Sequence, residues 1–368
     1  MSAKRHPGNP VAAARQAGLR YVSDQSPGIR RIAAGKGRFV FRQPGGGRIS
    51  AKDADRIRRL AIPPAWTEVW ICPLENGHVQ ATGRDARGRK QYRYHERWRI
   101  IRDEAKFDRV LDFGEALPRI RRCVAAHLKR PGMDRCKVMA TIIRLLERTL
   151  IRVGNDEYAR QNGSYGLTTL RNHHAKIRGA QIVFEFKGKS GKRHRVGVQD
   201  ARLARLVRRC QELPGQELFG YVDDHGVVRD VSSGDVNDYL REIAGSDFSA
   251  KDFRTWAGTV MAASALRELG GCQSARQAKR NIIQVVERVS RALGNTPAIC
   301  RRCYVHPAVL DGYLAGRSID ALCGSNARNL RKVVHKLRTE ELDVMQQLRT
   351  QLRRAKVHRP ATRPKRAS

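Results

Sequence analysis

The hydrophobic pattern of this chain changes period partway along, and that change limits the folds open to it. Up to about residue 105, short apolar runs alternate with polar residues between Gly- and Pro-rich turns. EVWICPL (68–74) and HVQATGRDARGRKQYRYH (78–95) read as strands, the second folding back at GRDARG. GRFVFRQPGGGRI reads as a hairpin around PGGG, and DADRIRRLAI as a short helix stopped by Pro63 and Pro64. From about residue 115 the spacing moves to near four. Ile120, Val124 and Leu128 stripe one helix; Val138, Ile142, Leu145 and Leu146 stripe the next, which runs to Ile151 before Gly154. Further helices are predicted over about 200–211, 234–244, 251–268, 275–293 and 328–355, interrupted by a hairpin at IVFEFKGKSGKRHRVGV, 182–198. The expected class is α+β. It divides into a basic flexible arm (1–35), a β-rich N-terminal DNA-binding domain (36–105), a mainly helical catalytic domain (106–345) and a basic tail (346–368).

The charge names the class of partner. Lys and Arg number 73 against 35 Asp and Glu, a net charge of +38, while 40% of residues are hydrophobic. A globular chain with this field attracts a polyanion and holds it through counterion release, so nucleic acid is the leading partner. An anionic membrane would favour a basic amphipathic helix or a lipid anchor, and neither is evident; nor is a spanning run or a secretory signal. The eight cysteines form no disulfide framework, which points to a reducing, intracellular compartment.

Several motifs suggest chemistry and lose to simpler readings. Cys300-x-x-Cys303 lacks a second pair or enough nearby histidine for structural zinc. Gly188-Lys189-Ser190 imitates the end of a P-loop, but Val183 stands where the first glycine belongs and the segment is a hairpin. Asp223-Asp224 reads as a turn, and no paired carboxylates suit magnesium, so no metal and no cofactor are expected. Metal-free phosphoryl transfer needs a nucleophile, cations for the nonbridging oxygens and a proton for the leaving alkoxide. Tyr304, Arg152, Arg254 and Lys189 offer such a set, although each alone reads more simply as a surface charge or a rim aromatic. In NTPAICRRCYVHP, Gly294 ends one helix, Thr296 caps the next and Pro297 starts it, which puts Tyr304 near its end and Arg301 one turn earlier.

The residues that carry this chemistry resemble those of the type IB DNA topoisomerases, in the compact poxvirus-like form found in bacteria. The resemblance runs from about residue 20 to about 318, with its motifs in order. LIRVG matches the first catalytic arginine at Arg152 and is followed by YGLTTL, a GLxTL-type segment. FKGKSGK matches the lysine hairpin at Lys189, KDFRT the KDxRT box at Arg254, and LGNTPAICRRCY the nucleophile segment at Tyr304. Gln91, Tyr92 and Tyr94 match positions on a DNA-contacting strand, and Tyr158 another DNA-proximal aromatic. Viral and eukaryotic relatives place a histidine nine residues before the tyrosine; here Asn295 stands there, able to donate a hydrogen bond but not to carry charge.

The resemblance implies a fold like that of the tyrosine recombinases and type IB topoisomerases, closed as a clamp around duplex DNA. It also implies a monomer that needs no protein partner and works in the cytoplasm at the bacterial nucleoid. Tyr304 would form a 3′-phosphotyrosyl bond, the free strand would swivel, and religation would need no ATP. A tyrosine site-specific recombinase is the nearest rival, but Lys251 occupies the place where recombinases prefer histidine. A non-catalytic basic DNA-binding protein fits the charge alone, and RNA affinity stays open.

Overall fold

The computed structural model describes residues 10–35, 38–86, 88, 90–316 and 338–357. The chain divides into two compact units, Met1–Lys106 and Phe107–Ser368. Helix and antiparallel sheet both contribute, so the class is α+β.

The first unit is built on a five-stranded antiparallel sheet in the order β2-β1-β3-β4-β5. Its strands are β1 (Ile29–Ala33), β2 (Phe39–Arg42), β3 (Thr67–Ile71), β4 (Val79–Arg84) and β5 (Lys90–Tyr94). Ile29, Val69, Ile71 and Ala81 pack with Ile57 of helix α2 (Ala51–Arg59). Ser50 caps α2 by accepting from the Asp53 N–H at 3.0 Å. Arg56 turns inward from it to donate to Gln80 and to the Cys72 carbonyl.

Two expectations for this unit need correcting. Ile29–Ala33, expected in the flexible arm, is an inner strand, with Ile29 fully buried and Ile32 opposite Val40 of β2. Only one face of IRRIA meets the core, so its arginines masked the alternation. The hairpin around PGGG is reduced to one bridge, Arg42 to Arg48, because β2 pairs with β1 instead. Helix α1 (Pro10–Gln16) also lies within the expected arm and buries Ala14 beside Leu19 and Trp98. Residues 1–9 lie outside the described residues.

The second unit gathers one core from helices α3 (Glu96–His127), α4 (Arg135–Thr149), α6 (Ala201–Gln211), α7 (Ser233–Ala244), α8 (Ala250–Glu268) and α9 (Ala275–Leu293). Ten of the fifteen residues of α4 are buried, including Val138, Met139, Ile142, Ile143, Leu145 and Leu146. A three-stranded antiparallel sheet joins β6 (Ala175–Arg178), β7 (Gln181–Lys187) and β8 (Arg193–Gln199). The β7–β8 hairpin is the one expected; β6, four residues long, was hidden by its brevity. A short hairpin, β9 (Gly220–Val222) and β10 (Val228–Asp230), encloses Asp223-Asp224 in its turn.

Short helices α5 (Asp156–Asn162), α10 (Pro297–Cys303) and α11 (Pro307–Leu314) complete the part of this unit that bears on the site. The final described helix, α12 (Thr339–Val357), falls on the helix expected over 328–355 and corrects the basic tail expected from 346. Val344, Met345 and Leu348 are buried, and Glu341 receives a bidentate pair from Arg121 at 2.8 Å and a bond from the Trp256 indole. The 328–337 part of the expected helix and residues 358–368 lie outside the described residues. No helix among the described residues is long and apolar enough to cross a membrane.

Candidate active site

Three stretches far apart in sequence, the last contributing both Asn295 and Tyr304, meet at the ends of α4, α8 and α9. The first carries Arg152. Helix α4 ends at Thr149, Leu150 turns left-handed at φ 55°, and Ile151 is buried, so Arg152 emerges at once from a fixed point. LIRVG is then clamped against GLTT. The Leu167 N–H donates to the Arg152 carbonyl at 2.9 Å and the Thr168 N–H to that of Val153 at 2.7 Å. Gly154 at φ +121° and Gly166 permit this approach: a Cβ on Gly166 would stand 2.6 Å from the Arg152 carbonyl oxygen. The two motifs are one structural device.

The second segment is the start of α8. Asp252 of KDFRT accepts from the Ser249 N–H at 2.8 Å and its hydroxyl at 3.0 Å, which fixes the first turn. Arg254, 4% exposed, projects inward from that turn. Its guanidinium donates to the carbonyl of Leu150 and, at 2.6 Å, to that of Leu293. Those carbonyls belong to the C-terminal ends of α4 and α9, where partial negative charge accumulates. The third segment follows α9 in a Schellman turn: Gly294 at φ 60° donates to Arg291, and Asn295 to the Ser290 carbonyl at 2.9 Å. The Asn295 Oδ1 accepts from Arg152, so its Nδ2 donor points elsewhere; that atom is buried without a partner.

Tyr304 comes from α10. Thr296 caps this helix by accepting from the Ile299 N–H, and Pro297 is its first residue. Tyr304 follows its last turn, with its N–H on the Cys300 carbonyl at 2.9 Å. Gly258, one turn beyond Arg254 on α8, admits the Tyr304 backbone: a Cβ there would stand 2.5 Å from its carbonyl oxygen. Thr259 donates to that carbonyl and accepts from the His306 N–H at 3.1 Å. The half-buried ring lies 5.2 Å from the Arg254 guanidinium. Tyr304 is thus held to the helix that carries Arg254.

Lys189 sits exposed on the turn between β7 and β8. It lines one cavity with Arg152, Arg254, Tyr165 and His194. Of the five residues expected to share a site, Arg152 bonds Asn295 and Arg254 lies against the Tyr304 ring, while Lys189 lines a cavity with Arg152 and Arg254 that neither Asn295 nor Tyr304 lines. Gln91, Tyr92 and Tyr94 are in the first unit. There Tyr92, 45% exposed, stacks on Tyr94 with ring centres 5.6 Å apart, and Gln91 donates to Asp85. Tyr158 is on α5 of the second unit and is not among the cavity residues.

The electrostatics separate this cluster from ordinary buried arginines. Arg121 is half-buried, but Glu147 and Glu341 surround it. Among the described residues, neither Arg152 nor Arg254 has a carboxylate within ion-pair distance. Burial, and then Arg254, push the Arg152 guanidinium below its ordinary pKa; Tyr304 acts the other way. Burial pushes Arg254 down as well. Two desolvated cations that repel each other, beside an unused amide donor, form a site that an anion would stabilise. Cys300 is fully buried and its thiol is pushed up to about 11 by burial, which suits packing and not reactivity. Among the described residues no group of three or more His, Cys, Asp or Glu could hold a metal ion.

Sequence reasoning missed His194 and Tyr165. The register of the hairpin could have shown the first, since His194 pairs with Phe186 beside the Lys189 turn.

Comparison with known proteins gives a consistent picture. Residues 95–315 match the sequence model of the eukaryotic DNA topoisomerase I catalytic core, and residues 38–85 that of the bacterial DNA topoisomerase IB N-terminal domain. The chain is 33% identical over 272 residues to a DNA topoisomerase 1B of Acanthamoeba polyphaga mimivirus, covering 72% of this chain and 81% of the relative. It is 23% identical over 236 residues to the DNA topoisomerase 1B of vaccinia virus, covering 62% and 70%. A DNA topoisomerase 1 of rabbit fibroma virus is 21% identical over 267 residues, 69% and 80% of the two chains.

Proposed function

This chain belongs to the type IB DNA topoisomerase family, and from that premise we propose that it relaxes supercoiled duplex DNA through a transient 3′-phosphotyrosyl bond at Tyr304. The observation that supports this most is buried Arg254 against the Tyr304 ring with half-buried Arg152 nearby, neither arginine having a carboxylate partner among the described residues.

A backbone phosphodiester between Arg152 and Arg254 supplies the negative charge that the cluster lacks. The planar forks of the arginines suit the nonbridging oxygens, and their field strengthens as charge builds on phosphorus. The unpaired Nδ2 of Asn295 is a further donor for such an oxygen. It supplies a neutral hydrogen bond and adds no charge. The Tyr304 hydroxyl loses its proton and attacks phosphorus, which forms the P–Oη bond and breaks the bond to O5′. Lys189 gives a proton to the leaving O5′, with help from Arg152. The 5′-hydroxyl strand then swivels, and the same steps in reverse expel Tyr304. Each exchange replaces one phosphodiester by another, so no ATP is consumed.

In this reading the β-rich unit and the mainly helical unit close as a clamp around the duplex, with a recombinase-like catalytic fold and a single copy sufficing. Gln91, the Tyr92–Tyr94 stack and Tyr158 contact the DNA. The net charge of +38 supports tight, salt-sensitive binding. The work is placed in the bacterial cytoplasm, at the nucleoid.

The test is a supercoiled plasmid incubated with the protein in EDTA without ATP. A ladder of relaxed topoisomers is expected, at catalytic amounts of protein. Binding that shifts the plasmid without changing its linking number would contradict the proposal and favour a non-catalytic DNA-binding role.

A further inference from the structure

We infer that His194 is a positioning residue: its ring is the wedge that sets the Lys189 turn against the Gly294–Asn295 turn. The inference rests on the catalytic roles proposed above and adds a residue to them. Three contacts define the wedge. On the hairpin side, a Cβ on Gly188 would stand 2.5 Å from His194 Cδ2 and 2.7 Å from Nε2. On the opposite side, a Cβ on Gly294 would stand 2.6 Å from His194 Cε1. From within the hairpin, the Phe186 ring stacks on His194 with centres 5.2 Å apart and planes 13° apart. The imidazole therefore fills a slot bounded by two glycines, each next in sequence to a proposed catalytic residue.

The charges around the slot explain why a flat, neutral ring suits it. Burial, then Arg152, Arg254 and Lys192, push the His194 pKa below its ordinary value, so the ring is uncharged at neutral pH. A cation there would be repelled by both arginines. A shorter side chain would leave the Lys189 turn without its rest against Gly294, held by its own bonds, Gly188 N–H to Lys192 and Gly191 N–H to Gly188, and at its base by the Tyr165 N–H on the Lys187 carbonyl. Misplacing a catalytic group by about 1 Å can cost on the order of 100-fold in rate.

The test is a double-mutant cycle on Gly188 and His194, read as the single-turnover rate of strand cleavage at saturating protein, with DNA affinity measured alongside. Gly188 has an extended backbone, φ −96° and ψ −167°, open to any residue, so Gly188→Ala acts through the His194 ring. Each single variant, Gly188→Ala and His194→Ala, is expected to cleave about 10- to 100-fold more slowly than wild type with DNA affinity within about twofold, as misplacement of a catalytic group implies. In the His194→Ala background, the added Gly188→Ala change should cost little further, because the atom it collides with is gone. His194→Ala at the wild-type rate would overturn the inference. So would a Gly188→Ala cost that is equal in both backgrounds, or a loss confined to DNA affinity. Should His194→Ala not fold, wild-type cleavage by Gly188→Ala alone overturns it as well. Failure of wild-type protein to cleave in the same assay would instead reject the catalytic reading beneath it.

Discussion

Tyr304→Phe is expected to abolish plasmid relaxation and covalent adduct formation while leaving DNA affinity and folding intact. The substitution removes one oxygen and keeps the ring, so the contact with the Arg254 guanidinium at 5.2 Å survives. The backbone anchors survive too, since they involve only the Tyr304 N–H and carbonyl. What is lost is the single atom able to join phosphorus. Removing a nucleophile costs on the order of 10⁶-fold in turnover in the best-measured enzyme cases, so residual relaxation should fall below detection. A gel-shift titration beside the relaxation assay checks both halves. Relaxation by the variant at even a hundredth of the wild-type rate would move the nucleophile elsewhere.

Lys189→Ala has the second largest expected effect, and its signature is chemical. Lys189 is exposed on a turn, so truncation opens no cavity in the core. Loss of a general acid slows a step by about 10²- to 10⁴-fold. The deficit should appear in cleavage of an ordinary strand and largely vanish on one whose scissile bond leaves as a 5′-thiolate. A thiolate departs without a proton because thiols are far more acidic than alcohols. Slow cleavage of both substrates would remove the acid role and leave Lys189 as a phosphate contact.

The motifs legible in the sequence are those whose function and local structure coincide. Gly294, Thr296 and Pro297 stop one helix and start another by rules that act over a few residues, and the structure follows them. KDFRT reads as a helix start because Asp252 caps its own turn. What brings these segments together is not written locally. Arg254 is steadied by carbonyls of Leu150 and Leu293, at helix ends more than 100 and about 40 residues away in opposite directions. No spacing rule foretells that meeting. Likewise Gly166 matters because it touches Arg152 and Gly154, and His194 because it touches Gly294. Asn295 stands out in sequence only as a departure, whereas its unpaired Nδ2 gives it a direction. β1 and the buried face of α12 escaped for a simpler reason: arginines and other polar residues outnumber the few apolar side chains that each element buries.

The most direct measurement is the chemical identity of the covalent link. A duplex whose cleaved end diffuses away traps the protein on DNA, after which protease and nuclease digestion leave a peptide bearing a nucleotide. Mass spectrometry should find the nucleotide on Tyr304, joined through a 3′-phosphate, with a free 5′-hydroxyl on the departed strand. A link at any other residue, or a 5′-phosphate link, would contradict the assignment of Tyr304, against the buried Arg254, as the nucleophile.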